Sequence, residues 1–183
     1  MVQVGLLLVM VISVVAYREI EFKNCKTATG SLTCKVKNVK INGCMEPSTW
    51  VDKDGFVIEY VSGNVKNPCG IDTTSTLNFS ITFEPGYNID TVRSQFTVPD
   101  MQDCWRIQDD AKCPVDIGPE SGCSHTKCPL QSGRQQRYET SLFVNPEVAK
   151  RPINDRKIYQ LRWKLWNNKD KKHSCCFNIP IQY

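Results

Sequence analysis

The sequence predicts an all-β protein, an antiparallel sandwich cross-linked by disulfides, on three observations. Apolar and polar residues alternate with period two in successive segments, the pattern of strands with one wet and one buried face. These short runs are divided by Gly, Pro, Asn and Asp turns, and no stretch shows a helical period of useful length, which favours stacked sheets over mixed architectures. Ten cysteines follow an apolar leader, and an even count in that context indicates a disulfide framework rather than a metal or redox site.

The elements follow in chain order. Cys34 to Ile41 is strand-like, but Val36 falls on one face while Val39 and Ile41 fall on the other. A bulge near Asn38 restores the parity. Gly55 to Val61 offers a further short strand. In Leu77 to Glu84, Leu77, Phe79, Ile81 and Phe83 share one face. Val92, Ser94, Phe96 and Val98 form the next set, then Tyr138, Thr140, Leu142 and Val144. Tyr159, Leu161, Trp163 and Leu165 alternate with Gln160, Arg162, Lys164 and Trp166, and Phe177, Ile179 and Ile181 close the chain. Pro180 cannot donate to a ladder, so its strand is expected at an edge or locally irregular. Met45–Pro68 and Pro99–Pro129 read as long loops, which need staples or a function.

Val4 to Ala16 reads VGLLLVMVISVVA, the length of a signal-peptide core and shorter than the roughly 20 residues that span a bilayer. Val14 and Ala16 supply the small residues that precede cleavage. Residues 1–16 are therefore assigned to a signal peptide and 17–183 to a single domain, with secretion to the cell exterior as the destination and the lysosomal or endosomal lumen as the alternative. The sequon Asn78-Phe79-Ser80 makes Asn78, on the polar face of its strand, a glycosylation acceptor. Cys25 near the mature start and the Cys175-Cys176 pair near the end would close nearly the whole chain if joined. Such a loop is worth roughly 5 kcal/mol in the chain-entropy account.

The net charge is +4, with basic residues gathered at Arg134–Arg137, Lys150-Arg151 and Lys169–Lys172. Nucleic-acid binding calls for denser basic stripes with interleaved aromatics. The runs suit a solvated surface, or a weak attraction to anionic lipid headgroups of at most about 1 kcal/mol per basic residue. Catalysis is not expected. The two histidines, His125 and His173, stand in polar, charged stretches and read as surface residues. No nucleophile elbow, metal-binding His pair or phosphate loop appears. A zinc cluster of Cys104, Cys113, Cys123 and Cys128 conflicts with an oxidising compartment. No cofactor or metal is predicted.

An ordered set of segments resembles the ML lipid-recognition family, which includes the Niemann–Pick type C cholesterol-transfer proteins and mite group 2 allergens. The front end offers Phe22-Lys23-Asn24-Cys25, then Val39, Ile41 and Cys44. The strand Ser75 to Phe83 (STLNFSITF) matches in position and pattern. Cys128-Pro129-Leu130, Tyr138, Leu161-Arg162-Trp163-Lys164-Leu165 and Cys176-Phe177-Asn178-Ile179-Pro180-Ile181 complete the set. The resemblance covers about Phe22 to Cys44 and Cys69 to Tyr183.

It implies an immunoglobulin-like sandwich whose sheets part to admit a lipid, and the bonds Cys25–Cys176, Cys44–Cys69 and Cys123–Cys128. Of the cysteines then left, a Cys104–Cys113 bond would close a local loop and a Cys34–Cys175 bond would run beside the terminal one, two pairings that the sequence alone leaves open. By itself, the alternation would fill a closed core with these side chains. The resemblance turns them into the wall of a lipid cavity: Phe79, Ile81, Phe83, Phe96, Val98, Tyr138, Leu142, Val144, Leu161, Trp163, Leu165, Phe177 and Ile179, with Tyr138 and Arg137 at its rim. The function implied is a secreted monomer that buries a sterol, fatty acid or related amphiphile, with transient membrane or receptor contact. The alternative is extracellular recognition of a microbial glycolipid for presentation to a receptor. The long Met45–Pro68 and Pro99–Gly122 segments depart from the sterol-transfer branch where loops would frame a cavity entrance.

Overall fold

A computed structural model describes residues 16–25, 33–44, 68–71, 76–98, 117–143, 158–169 and 173–182. The strand expected at Gly55–Val61, Val144, the Cys104–Cys113 bond and the leader through residue 15 lie outside the described residues, as does most of Met45–Pro68 and Pro99–Gly122.

The described chain is all β apart from a single turn of 3-10 helix at Gly122–Ser124. Its strands are β1 (Arg18–Glu19), β2 (Lys23–Asn24), β3 (Cys34–Asn42), β4 (Cys69–Gly70), β5 (Thr76–Pro85), β6 (Val92–Thr97), β7 (Ile117–Ser121), β8 (Gln136–Phe143), β9 (Ile158–Asn167) and β10 (Ser174–Gln182). They form two layers. One sheet runs β1-β3-β5-β8; the other runs β2-β10-β9-β6-β7, with β4 added alongside β10. Pairing is antiparallel except for β4, which lies parallel to β10. This is an immunoglobulin-like sandwich.

The period-two pattern sorts each strand between core and water. On β5, Leu77, Phe79, Ile81 and Phe83 are buried, and Leu161, Trp163 and Leu165 do the same on β9. The parity break in β3 becomes a bulge: Val36 pairs with Phe83 and Asn38 with the adjacent Thr82, which leaves Lys37 as the extra residue. Lys37 and Asn38 both point outward, and Val36, Val39 and Ile41 all reach the core. On the wet face Lys37 Nζ meets Glu84 Oε2 at 2.9 Å.

β10 is an interior strand rather than an edge, and its outer ladder is interrupted at Pro180, the local irregularity that was the other expectation. Its outer neighbour is β2 at Phe177 and Asn178 and β4 at Ile181 and Gln182. Pro180 falls in the gap between them, where a missing donor breaks no ladder. Sequence reasoning also took the stretch after Pro99 as loop throughout, whereas Ile117–Ser121 forms β7 at the edge beside β6.

Consecutive strand residues point to opposite faces, and the Cys175-Cys176 pair uses both. Cys175 turns inward and bonds Cys34 of β3 in the facing sheet; Cys176 turns outward and bonds Cys25 beside β2. Cys44, past the end of β3, bonds Cys69 on β4 and ties the sheets a second time. Cys123–Cys128 closes the turn between β7 and β8. Both bonds that cross between sheets lie on the β3/β10 side.

Candidate functional site

Between the sheets, an aromatic layer spans the middle of the sandwich. Phe96, Trp163 and Phe177 are direct cross-strand neighbours on β6, β9 and β10. Phe22 extends the row, its ring centroid 5.7 Å from Phe177. From the opposite sheet, Phe79 meets Phe96 at 5.0 Å, Phe83 meets Trp163 at 5.9 Å and Tyr138 meets Trp163 at 5.2 Å. These tilted and edge-on contacts are the geometries that aromatic pairs favour. All the rings except Phe22 are fully buried.

On one side of this layer the inner face turns aliphatic: Leu77 pairs with Leu142, Leu161 with Ile179, and Ile41, Val98 and Ile181 are also buried. Half-buried Tyr159 stands beside Ile181. The long connections meet this end. β3 ends here and β4 begins; β6 ends and β7 begins; β8 ends and β9 begins. Segments 45–67, 99–116 and 144–157 therefore all leave and return at the aliphatic end. The opposite end, which holds Leu165, carries the β5–β6, β7–β8 and β9–β10 connections, the second of them beginning at Gly122. A Cβ at Gly122 would stand 2.7 Å from Leu165 Cδ1 and 2.8 Å from Val92 Cγ2, so only glycine lets that turn lie flat on the core.

The residues expected to line a cavity thus occupy three places. Phe79, Phe83, Phe96, Tyr138, Trp163 and Phe177 belong to the ring network. Val98, Leu142, Leu161 and Ile179 lie toward the long connections, with Ile81 between Val39 and Tyr138 and Leu165 at the far end. Val144 is outside the described residues. Tyr138 is not at a rim: it is fully buried and donates its hydroxyl hydrogen to Ser94 Oγ at 3.0 Å across the sheets. Burial pushes its pKa up to about 12, the Ser94 contact opposing the shift. Arg137, its neighbour, points to the outer face, where its Nε donates to Ser80 Oγ at 2.9 Å and its Nη2 pairs with Glu139 at 2.8 Å. The parity of β8 decides this, since adjacent residues cannot both face one cavity.

His125 is likewise not a free surface residue. Its ring lies 5.2 Å from that of Tyr138, with Nε2 at 2.9 Å from Glu120 and Nδ1 at 3.1 Å from the Glu139 carbonyl. Sequence reasoning also gave no role to Ser94, a polar side chain on an apolar face. That misplaced polarity was the available signal.

Asn78 stands half-exposed on the outer face of β5, its Oδ1 accepting from Ser141 Oγ at 2.7 Å. Among the described residues, no group of three or more His, Cys, Asp or Glu is placed to hold a metal ion. No described helix is long and apolar enough to cross a membrane.

Comparison with known proteins agrees with this architecture. A Manduca sexta protein described as an MD-2-related lipid-recognition protein is 25% identical over 161 residues, covering 88% of this chain and 83% of that one. The crystal structure of a Niemann-Pick type C2 protein from Japanese carpenter ant shares the fold, with a TM-score of 0.54 at 21% identity over 88% of this chain and 98% of that one. Chicken MD-1 complexed with lipid IVa aligns at a TM-score of 0.38 and 15% identity, covering 90% of this chain and 99% of that one. The sequence model of the ML domain matches residues 19–183, and the chain belongs to the ML domain family.

Proposed function

We propose that this protein is a non-catalytic lipid carrier of the secretory pathway that takes the hydrocarbon part of a sterol, fatty acid or related amphiphile between its sheets. Membership of a lipid-recognition family gives the ligand class. The observation that carries the reading is the division of the inner face, with rings in the middle and aliphatic rows Leu77–Leu142 and Leu161–Ile179 at the end where β3, β6 and β8 stop. Hydrocarbon would enter at that end and stop against the aromatic layer.

The staples suit such an opening. Cys34–Cys175 and Cys44–Cys69 hold the β3/β10 side together. The β8/β6 side is joined in the core by the single Tyr138–Ser94 hydrogen bond among the described residues, so the sheets would part there as about a hinge. Burying an acyl chain of about sixteen carbons contributes roughly 12 kcal/mol before ordering costs. Recognition would then need few polar contacts, and those at the mouth would decide among ligands.

Secretion from a eukaryotic host, solvent extraction and mass spectrometry test the proposal. A sterol or fatty acid in the extract is the expected result. An empty extract, with no displacement of a fluorescent lipid, would leave the inner face as a closed core. The description of the Manduca sexta relative as a lipid-recognition protein favours a second reading, capture of a microbial glycolipid. Affinity confined to acylated glycans would select it.

A further inference from the structure

On the side away from the crossing disulfides, the two sheets are also joined outside the core, at the turn between β7 and β8. The residues of that turn divide between the layers. Glu120 lies opposite Ser94 in the β6/β7 ladder, and opposite residues of an antiparallel pair share a face, so its side chain turns toward the other sheet. His125 belongs to that other sheet by its backbone. Its carbonyl accepts from the Glu139 amide on β8, and the adjacent Thr126 pairs with Tyr138. The imidazole therefore spans the gap, with Nδ1 at 3.1 Å from the Glu139 carbonyl and Nε2 at 2.9 Å from Glu120 Oε1.

Both neighbours of the ring are acceptors. A carbonyl oxygen only accepts, and so does an ionised carboxylate. A neutral imidazole has one N–H to give, so it serves one of them and turns a lone pair on the other. Only the imidazolium donates to both. Resting on the lipid-carrier reading, we propose that His125 and Glu120 form a proton-controlled latch across the β7/β8 edge, closed when the ring carries two hydrogens and released when Nε2 loses its own. The edge it closes is the one at which the sheets would part. Histidine side chains change charge between about pH 5 and 8, so the latch holds at the acid end of that range and yields at the other. Ligand is kept at low pH and exchanges faster as pH rises. The other charged groups near the ring do not supply this dependence. Tyr138, whose ring lies 5.2 Å away, stays protonated because burial pushes its pKa up to about 12. Arg137 and Glu139 on β8 pair with each other, and Lys127 in the turn is exposed. From β6 the inward residue is uncharged Ser94, while Arg93 takes the opposite, exposed face.

The test uses the full mature chain and one uncharged fluorescent sterol, dehydroergosterol, whose transfer to methyl-β-cyclodextrin is followed by the loss of energy transfer from tryptophan. Release should be roughly threefold faster at about pH 7.5 than at about pH 5.5, the scale of a partly exposed ion pair. Glu120→Gln should be slow at both pH values, because its amide accepts from a charged ring or donates to a neutral one. His125→Phe should be fast at both; should it fail to fold, Glu120→Gln alone decides. If the sterol binds and Glu120→Gln keeps the wild-type pH dependence, the latch is overturned while the lipid-carrier reading stands. If the sterol does not bind, the carrier reading loses that ligand, and nitrogen-15 shifts of the His125 ring in the ligand-free chain decide the latch. Above about pH 8 the remaining ring hydrogen should sit on Nδ1. Finding it on Nε2, still bonded to Glu120, would overturn the latch whatever the sterol does.

Discussion

Tyr138 on β8 and Ser94 on β6 join the two sheets through the core, hydroxyl to hydroxyl at 3.0 Å, with neither side chain exposed to solvent. Ser94→Ala leaves a buried phenol without its acceptor and is expected to cost about 1 to 3 kcal/mol. Adding Tyr138→Phe removes the orphaned group, so the double variant should be less destabilised than the sum of the singles. Urea unfolding of the four proteins measures the difference. Additive costs would mean that the hydrogen bond does not form.

The same burial sets a pH dependence. Tyr138 titrates at about 12 in the folded chain, against an ordinary value of 10.0. The unfolded chain therefore loses this proton first as pH rises. The associated stability is fully present below about pH 10 and is lost between about 10 and 12, with a total of about 2 to 3 kcal/mol. Absorbance titration at alkaline pH should show one late tyrosine, absent in Tyr138→Phe. Simultaneous titration of all tyrosines would contradict this environment.

Two disulfides tie the same ends of the chain, Cys25–Cys176 at a separation of 151 and Cys34–Cys175 at 141. With either intact, the other closes only a short additional loop. Loop entropy then predicts a loss of roughly 3 kcal/mol for Cys→Ser at either pair alone, but roughly 8 for both. The latter is enough to unfold a domain of ordinary stability. Denaturant midpoints of the three variants check this. Equal, additive losses would show that the bonds act independently.

The bulge at Lys37 gives a deletion experiment. Without Lys37, Val36, Val39 and Ile41 alternate regularly with Asn38 and Lys40, and every inward residue keeps its face. Its loss removes the exposed contact with Glu84, so thermal melting should change little. Deleting Lys40 instead puts Val39 and Ile41 on opposite faces, and the protein should fail to fold. Equal tolerance of both deletions would contradict the register.

The strands of this protein were legible wherever alternation was undisturbed, as in β5 and β9. Even the β3 bulge could be placed, because Val36 and Val39 cannot share a face without it. β7 was not, since Ile117-Gly118-Pro119-Glu120-Ser121 has no alternation, holds Ile117 as its single β-former and pairs as an edge. The two-residue strands β1, β2 and β4 are too short to carry a period. At the candidate site, inward residues followed from parity, but depth did not. Period two tells which face Tyr138 takes, not how far along the sandwich it lies or what stands opposite. For that reason the sequence puts it at a rim, assigns nothing to Ser94 and reads His125 as a surface residue. Those placements depend on how one sheet lies over the other.

The central claim is hydrocarbon between the sheets at the end where the strands flanking segments 45–67, 99–116 and 144–157 stop and start. A crystal structure of the secreted protein soaked with a long-chain alcohol brominated at its far carbon measures this directly. The account predicts an anomalous bromine peak between the sheets against the aromatic layer, with the chain running back between Leu77–Leu142 and Leu161–Ile179 to the mouth. No peak, with those rows in direct van der Waals contact, would contradict it.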